Sequence, residues 1–283
     1  MISKIPFRPI IAIVFIPIIL ACSLVNAPAT QISPTIPAAV TATQAPSGIP
    51  FFASPIRLVI PDGLASSASA KTIDAVTDQT GAPWEVAPAH LQITLQGYSS
   101  NGSFQTPQIF VYPAADYAKA NPGAADSLTK LQDLLSNPTA QYTTDNLPHI
   151  PFFNAGQVIA TQVKVINFNG GSGVRIVTQY AQDISPINNG GLFYHFEGLT
   201  SDGKYYIVAI LPTQLPFLPA DNNPSSTVPS GGIPFPQNSA SGTDFENYFK
   251  QVTDQINAAQ PDQFSPMLTS LDALIQSISI STQ

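Results

Sequence analysis

Four strand-like segments follow one another between residues 159 and 211, and they constrain the fold more than any other feature. Alternation of apolar and polar residues is typical of a strand with one buried face. Two connections contain turn signals, Gly170-Gly171-Ser172-Gly173 and Asp202-Gly203. Short connections place consecutive strands side by side and antiparallel. The pattern therefore predicts a β-meander of residues 159–165, 174–180, 192–197 and 205–211.

Two further strands and two helices are predicted before the meander. The strands are residues 91–95, where apolar and polar residues alternate, and 108–112. The helices are residues 114–121 and 124–135, and the leucines of the second helix recur on one face.

The C-terminal region predicts two more helices. The first begins at a capping box from Thr243 to Glu246, and the second begins with Ser265 as N-cap and Pro266 as first helical residue. Each has one apolar face, so both are expected to pack on the sheet. The predicted class is α+β, an antiparallel β-meander sheet with flanking helices. This order of elements resembles the PsbP/Mog1-like sandwich, which implies an antiparallel sheet between helices.

The N-terminus has the order of a secretory signal peptide. Lys4 and Arg8 precede an uncharged, largely apolar run over 10–21, and small residues end it. A transmembrane anchor is the weaker alternative, because Pro17 interrupts a run shorter than the roughly 20 residues that a span needs. We therefore expect residues 1–21 to be a signal peptide.

The single cysteine, Cys22, stands directly after this run in Ile-Leu-Ala-Cys. The segment resembles the lipobox of bacterial lipoproteins. That resemblance implies cleavage before Cys22, attachment of its thiol to diacylglycerol, and an extracytoplasmic, membrane-anchored place in the bacterial cell envelope. A buried cysteine of no consequence is the alternative.

Residues 22–50 are rich in Pro, Ala and Thr and contain no charged residue. Such composition favours an extended spacer over a packed element. We expect this segment to be a tether and residues 51–283 to form one α+β domain.

Composition excludes several classes of function. Charged residues make up 10% of the chain, and 17 acidic against 10 basic side chains give a net charge of −7. This balance argues against non-specific nucleic-acid binding, which needs a basic face. One cysteine excludes an intrachain disulfide and a CxxC zinc site. The three histidines lack metal-ligand spacing, and no phosphate-binding glycine motif occurs, so neither a metal nor a cofactor is predicted.

His195 is the one histidine for which a catalytic arrangement can be drawn. It lies two residues before Glu197 in a predicted strand, so both side chains share a face. Asp183 and Ser185 on the preceding loop would complete a hydrolase-like set. No nucleophile elbow accompanies them, and a strand histidine bonded to a cross-strand neighbour is the favoured interpretation.

Two proline-containing irregular segments, 138–156 and 212–242, are the candidate ligand-binding loops. They contain His149, Phe152, Phe153 and Phe217, a mixture of polar and apolar side chains that pockets use. The favoured interpretation is that both segments cover hydrophobic sheet edges. The alternative is that they border a groove for a ligand or partner.

The function predicted from these features is that of a lipid-anchored surface protein with a non-catalytic domain that binds a glycan, a peptide or a partner protein. A structural or envelope-assembly role is the first alternative. A hydrolase that uses His195 with an acidic partner is the second.

Overall fold

Two antiparallel sheets carry the fold, one of three strands and one of seven. The computed structural model describes residues 47–281 except 79, 100–101, 138–141, 151–153 and 238–240. Within these residues the strands are β1 (Gly48–Ala53), β2 (Ile56–Pro61), β3 (Ser67–Ile73), β4 (His90–Gln96), β5 (Gln108–Pro113), β6 (Gly156–Phe168), β7 (Gly171–Ala181), β8 (Phe193–Thr200), β9 (Tyr205–Pro212) and β10 (Ser279–Ile280). The sheet orders are β1-β2-β10 and β3-β4-β5-β9-β8-β7-β6.

The predicted meander is confirmed, because β6, β7, β8 and β9 are consecutive antiparallel neighbours. The β6–β7 and β8–β9 turns contain Gly170 and Gly203 at φ of +88° and +70°, a region that favours glycine. In the second turn, the Asp202 carboxylate accepts hydrogen bonds from the Thr200 hydroxyl and the Lys204 backbone N–H. Local turn chemistry therefore fixes the register of the hairpin.

Helices α1 (Ala114–Ala120) and α2 (Pro122–Ser136) connect β5, in the middle of the large sheet, to β6 at its edge. They cross one face of the sheet, where α2 contacts β7 and β8. Asn121 caps α2, since its side-chain oxygen accepts from the backbone N–H groups of Gly123 and Ala124.

Helices α3 (Gly242–Ala258) and α4 (Leu268–Gln276) follow the sheet in sequence and contact β6, as the α+β prediction requires. Their starting residues differ from those predicted. The capping box of α3 is formed by Ser241 and Asp244, not by Thr243 and Glu246. Helix α4 begins at Leu268 because Ser265 is held in an antiparallel bridge by two backbone hydrogen bonds with Gln214.

Strands β1, β2 and β3 were not predicted from the sequence. Strand β1 begins at Gly48, so the last residues of the predicted 22–50 tether belong to a strand. Strand β3, SASAKTI, contains one large apolar residue, Ile73, and lies at an exposed sheet edge. Its seven residues are held in a strand by pairing with β4, because their own composition favours a strand only weakly.

The two faces of the large sheet carry separate hydrophobic cores, because successive side chains of a strand point to opposite faces. The larger core lies under α3, α4 and β2, and includes Tyr194, Phe196, Leu211, Ile256 and Leu271. The smaller core lies under α1 and α2, and includes Tyr117, Leu131, Val174, Ile176 and Val208.

A buried ion pair joins α4 to the sheet on the first of these faces. Both carboxylate oxygens of Asp272 lie 3.0 Å from Nη1 of Arg175, whose side chain is 6% exposed. The Tyr194 hydroxyl (3.1 Å) and the Lys164 ammonium (3.0 Å) also donate to this carboxylate. Arg175 Nε donates to the backbone oxygen of Gln162. The carboxylate is thus compensated by donors from β6, β7 and β8.

Asp272→Ala is expected to lower the free energy of unfolding by about 3–5 kcal/mol, because it leaves the Arg175 guanidinium buried without its carboxylate. Asp254→Ala is the matched control. It removes an exposed helical pair with Lys250, and the expected loss is no more than about 0.5 kcal/mol. Urea unfolding followed by circular dichroism measures both, and equal losses in the two variants would contradict this account.

Candidate functional site

A buried carboxylate, that of Glu197, is the centre of a polar cluster between the large sheet and α2. Its Oε1 accepts hydrogen bonds from His195 Nε2 at 2.7 Å and from the backbone N–H of Ile150 at 3.0 Å. Its Oε2 accepts from the Ser127 hydroxyl at 2.5 Å and from the Tyr206 hydroxyl. Because an ionised carboxylate only accepts, His195 carries a hydrogen on Nε2.

Three elements and one loop position these groups. His195 and Glu197 are two residues apart in β8 and therefore share a face, as their spacing predicts. Ser127 projects from α2, and its hydroxyl oxygen also accepts from the backbone N–H of His149 at 2.8 Å. The cluster consequently fixes the 147–150 segment against α2 and the sheet.

The order of groups in this cluster does not match a hydrolytic relay. Both the Ser127 hydroxyl and His195 Nε2 donate to the Glu197 carboxylate, whereas in a hydrolytic relay the histidine accepts the proton of the hydroxyl. His195 is 1% exposed and Glu197 is 0% exposed. The predicted partner Asp183 lies on an exposed loop, and the acid that His195 contacts is Glu197. The catalytic set drawn with Asp183 and Ser185 gains no support from this cluster and stays a prediction.

Hydrogen bonding keeps the Glu197 carboxyl ionised. Burial favours its neutral form, but the hydrogen bonds from His195, Ser127 and Tyr206 outweigh burial and lower the pKa of Glu197. Burial and the neighbouring Glu197 charge together raise the pKa of the Tyr206 hydroxyl well above its usual range. Tyr206 therefore remains a donor.

His149 and His195 approach each other around Tyr180. The Nδ1 atom of His149 lies 2.5 Å from the Tyr180 hydroxyl, and the Tyr180 ring stacks against His195 with ring centroids 6.2 Å apart. Burial and, next, the nearby His195 lower the pKa of His149 to about 4. Burial also raises the pKa of Tyr180 well above its usual value, so the tyrosine donates to a neutral His149.

Two of the residues predicted to border a groove, His149 and Phe217, lie within the described residues and are in different parts of the fold. His149 lies beside Tyr180 and α2, whereas Phe217 packs half-buried against the core under the C-terminal helices. These two residues therefore support different parts of the fold. Cys22, Phe152 and Phe153 lie outside the described residues.

A cleft of about 860 Å³ opens at the end of the large sheet where β7 ends. Its walls come from the end of β7 with the following 182–191 loop, from residues 102–105, and from residues 220–222 of the second proline segment. Small-molecule sites occupy roughly 300–1,000 Å³, so the cleft has the size of a ligand site.

The 182–191 loop holds the cleft walls together. The Asn189 side chain donates to the backbone oxygen of Leu215 at 3.0 Å and accepts from its N–H at 2.8 Å. Gly190 donates to the Ala220 oxygen, and its own oxygen accepts from the Phe104 N–H at 2.8 Å. A Cβ on Gly190 would lie 3.2 Å from the Ala220 oxygen, so glycine permits this close approach. The cleft is therefore preorganised by backbone contacts between three loops.

The lining combines polar and apolar surface in about equal parts, and its described residues carry no positive charge. Amides, hydroxyls and glycines predominate, together with the carboxylates of Asp183 and Asp221. Hydrogen bonds from the Ser226 hydroxyl and the Asn223 N–H lower the pKa of Asp221, which keeps it ionised. The Phe104 side chain is 79% exposed beside these groups.

The cleft is not predictable from the sequence, because its residues come from separate loops. The Asn188–Gly191 stretch has the composition of an ordinary turn. One available signal was Phe104, an aromatic residue within a run of small polar residues over 99–106. Nothing in the sequence shows that this run meets 182–191 and 220–222.

The chain matches no protein-family model, no curated protein and no solved structure. The resemblances to bacterial lipoproteins and to the PsbP/Mog1-like sandwich therefore stay predictions. In the described part of the chain, no three His, Cys, Asp or Glu side chains group closely enough to hold a metal ion. None of the helices in these same residues has the length and hydrophobicity to cross a bilayer.

The low pKa of His149 predicts a pH-dependent stability. The unfolded chain binds a proton at its ordinary pKa of 6.5, whereas folded His149 does so at about 4. The stability that neutral His149 contributes to the folded state is therefore present above pH 6.5 and lost as the pH falls to about 4. His149→Asn retains an amide oxygen near the Tyr180 hydroxyl and is expected to flatten this fall.

Urea unfolding at about pH 7 and about pH 5 measures the difference. His90→Asn is the comparison variant, because burial also lowers the pKa of His90. This variant should keep the pH dependence of stability that His149 contributes. An unchanged pH dependence in His149→Asn would show that the histidine titrates normally in the folded chain.

Proposed function

We propose that this chain is a lipid-anchored, extracytoplasmic surface protein of the bacterial cell envelope whose α+β domain binds a ligand without catalysis. The observation that carries the binding role is the preorganised cleft at the end of β7. Its walls are joined by hydrogen bonds of the Asn189 side chain and the Gly190 backbone, so little entropy is lost in ordering them on binding.

The binding role fits the chemistry of both polar sites better than hydrolysis does. His195 and Glu197, the residues closest to a catalytic pair, are buried beneath α2. The Glu197 carboxylate accepts hydrogen bonds from His195 and from Ser127 of α2, and these bonds support the fold. The open cleft is lined by amides, hydroxyls and carboxylates that suit hydrogen bonding to a ligand.

The anchoring role rests on the sequence of the N-terminus. A single cysteine follows a charged and then apolar segment, and a charge-free Pro/Ala/Thr-rich stretch separates it from the first strand at Gly48. Removal of Lys4 and Arg8 with the signal peptide would leave the chain more acidic. Attraction to anionic lipid would then be weak, and diacylglycerol would hold the protein at the membrane.

Cys22→Ser is expected to move the protein from the detergent phase to the aqueous phase in a detergent phase separation, because the acyl chains have no attachment point. The matched control is Ser23→Ala, the neighbouring residue, which should partition as the wild type does. Aqueous partitioning of the wild type itself would contradict lipid anchoring.

Ligand binding in the cleft is expected to slow hydrogen–deuterium exchange at residues 102–105, 182–191 and 220–222. The experiment uses the full chain in detergent micelles with three probes, a mixture of neutral oligosaccharides, polyphosphate and an oligolysine peptide. Residues 201–204, in the turn at the opposite end of the sheet, should exchange unchanged. If none of the probes protects the cleft segments, the binding role assigned to the cleft fails.

A further inference from the structure

We infer that the cleft binds a neutral carbohydrate, that is, an uncharged oligosaccharide with one ring stacked on Phe104. The inference rests on the proposed binding function and adds the class of ligand. Three properties of the cleft carry it: the sign of its charge, the type of its hydrogen-bonding groups and the exposure of one aromatic ring.

The charge of the cleft disfavours anionic ligands. Asp183 and Asp221 contribute two carboxylates, and none of the described lining residues is Lys, Arg or His. Phosphate and carboxylate ligands are recognised through basic side chains, which are not found here. The net charge of −7 would also repel them at long range. Teichoic-acid-like and nucleic-acid polymers are therefore poor candidates.

The hydrogen-bonding groups suit hydroxyl-rich molecules. A sugar hydroxyl is both a donor and an acceptor, and it pairs with carboxylates and amides alike. The Asp221 carboxylate is oriented by the Ser226 hydroxyl and the Asn223 N–H, and both bonds fall on Oδ1. Neither of these two bonds uses Oδ2, which can accept a hydrogen bond from a ligand hydroxyl. Asp183 and Gln182, both exposed, stand on the adjoining loop.

Phe104 supplies the apolar surface that a sugar ring needs. Its side chain is 79% exposed, although a phenyl ring gains free energy when it leaves water. Its backbone N–H is bonded to Gly190 at 2.8 Å, so the residue has a fixed place beside the cleft. The C–H face of a pyranose stacks on such a ring while its hydroxyls point to the polar wall.

The backbone around the cleft offers little to a peptide ligand bound by strand addition. That mode needs a strand with an unpaired edge. The part of β7 that lines the cleft, Gln179 to Ala181, is paired with β6 and lies beyond the last β7–β8 pair, Thr178 with Phe193. Because successive residues of a strand direct their backbone groups to alternate sides, this edge presents at most two residues to a peptide, which would form few of the main-chain hydrogen bonds that give this mode its affinity.

Isothermal titration calorimetry of the full chain tests the inference, in micelles of a detergent without a sugar headgroup. The probes are neutral hexasaccharides, namely cello-, laminari-, chito-, malto- and xylohexaose. At least one should bind the wild type. Phe104→Ala and Asp183→Asn should each weaken that binding about tenfold or more, the effect of losing about 1.4 kcal/mol of contact.

Two variants outside the cleft are the matched controls. Phe52→Ala removes another exposed phenyl ring, on β1, and Asp116→Asn removes another exposed carboxylate, on α1. Both should bind as the wild type does. Equal losses in cleft and control variants would overturn the inference.

The remaining outcomes separate the ligand class from the binding function. If none of the hexasaccharides binds but oligolysine protects the cleft segments from exchange, the carbohydrate assignment is wrong while the cleft remains a binding site. If no probe binds or protects, both the assignment and the proposed binding function fail.

Discussion

The Glu197 carboxylate has none of its surface exposed, and a buried charge is tolerated only where donors surround it. Its donors come from four places in the chain: β8 itself, β9, α2 and the 147–150 segment. Satisfying one carboxylate therefore requires α2 and the loop after it to dock on the sheet in one arrangement. That arrangement also places His149 against Tyr180, a residue that lines the cleft. The Ser127 hydroxyl, which donates to Glu197, also accepts from the His149 N–H, and His149 in turn contacts Tyr180. The buried carboxylate and the cleft are therefore connected through Ser127 and His149.

The opposite face of the sheet uses the same device. Asp272 of α4 is compensated by Arg175, Lys164 and Tyr194, as Glu197 is compensated on the α2 face. Arg175 and Tyr194 belong to the neighbouring strands β7 and β8, and β8 also carries His195 and Glu197 on its other side. Each helical layer is accordingly positioned by a buried carboxylate, in addition to the apolar contacts of its own core. Apolar packing tolerates sliding more readily than a charge with several directed donors does.

The elements that could be predicted from the sequence are those whose signal is local. Strands β6 to β9 alternate and are joined by turn residues, and the helices have periodic apolar faces, so both were recognised. The misplaced start of α4 has a non-local cause, the pairing of Ser265 with Gln214, about fifty residues away. Strand β3 exists through pairing with β4, and its own residues do not indicate a strand. The candidate site could not be predicted for the same reason. The sequence singles out His195, but the burial of His195 depends on α2. The cleft is formed by three loops that are far apart in the sequence.

The small number of charged residues affects both the interior of the protein and the lining of the cleft. With 10 basic and 17 acidic residues in 283, this chain has few side chains for ion pairs. Arg175 is buried on Asp272, and none of the basic residues that the structure describes lines the cleft. What the loops offer instead is amides, hydroxyls and two aspartates held by internal hydrogen bonds or exposed on the adjoining loop. Recognition by such groups depends on geometry, and short-range hydrogen bonds are little affected by salt, whereas attraction between exposed charges is screened within about 8 Å at physiological ionic strength. A surface-tethered protein of this kind would bind an uncharged polymer at salt concentrations that weaken the binding of an anionic polymer to a basic face.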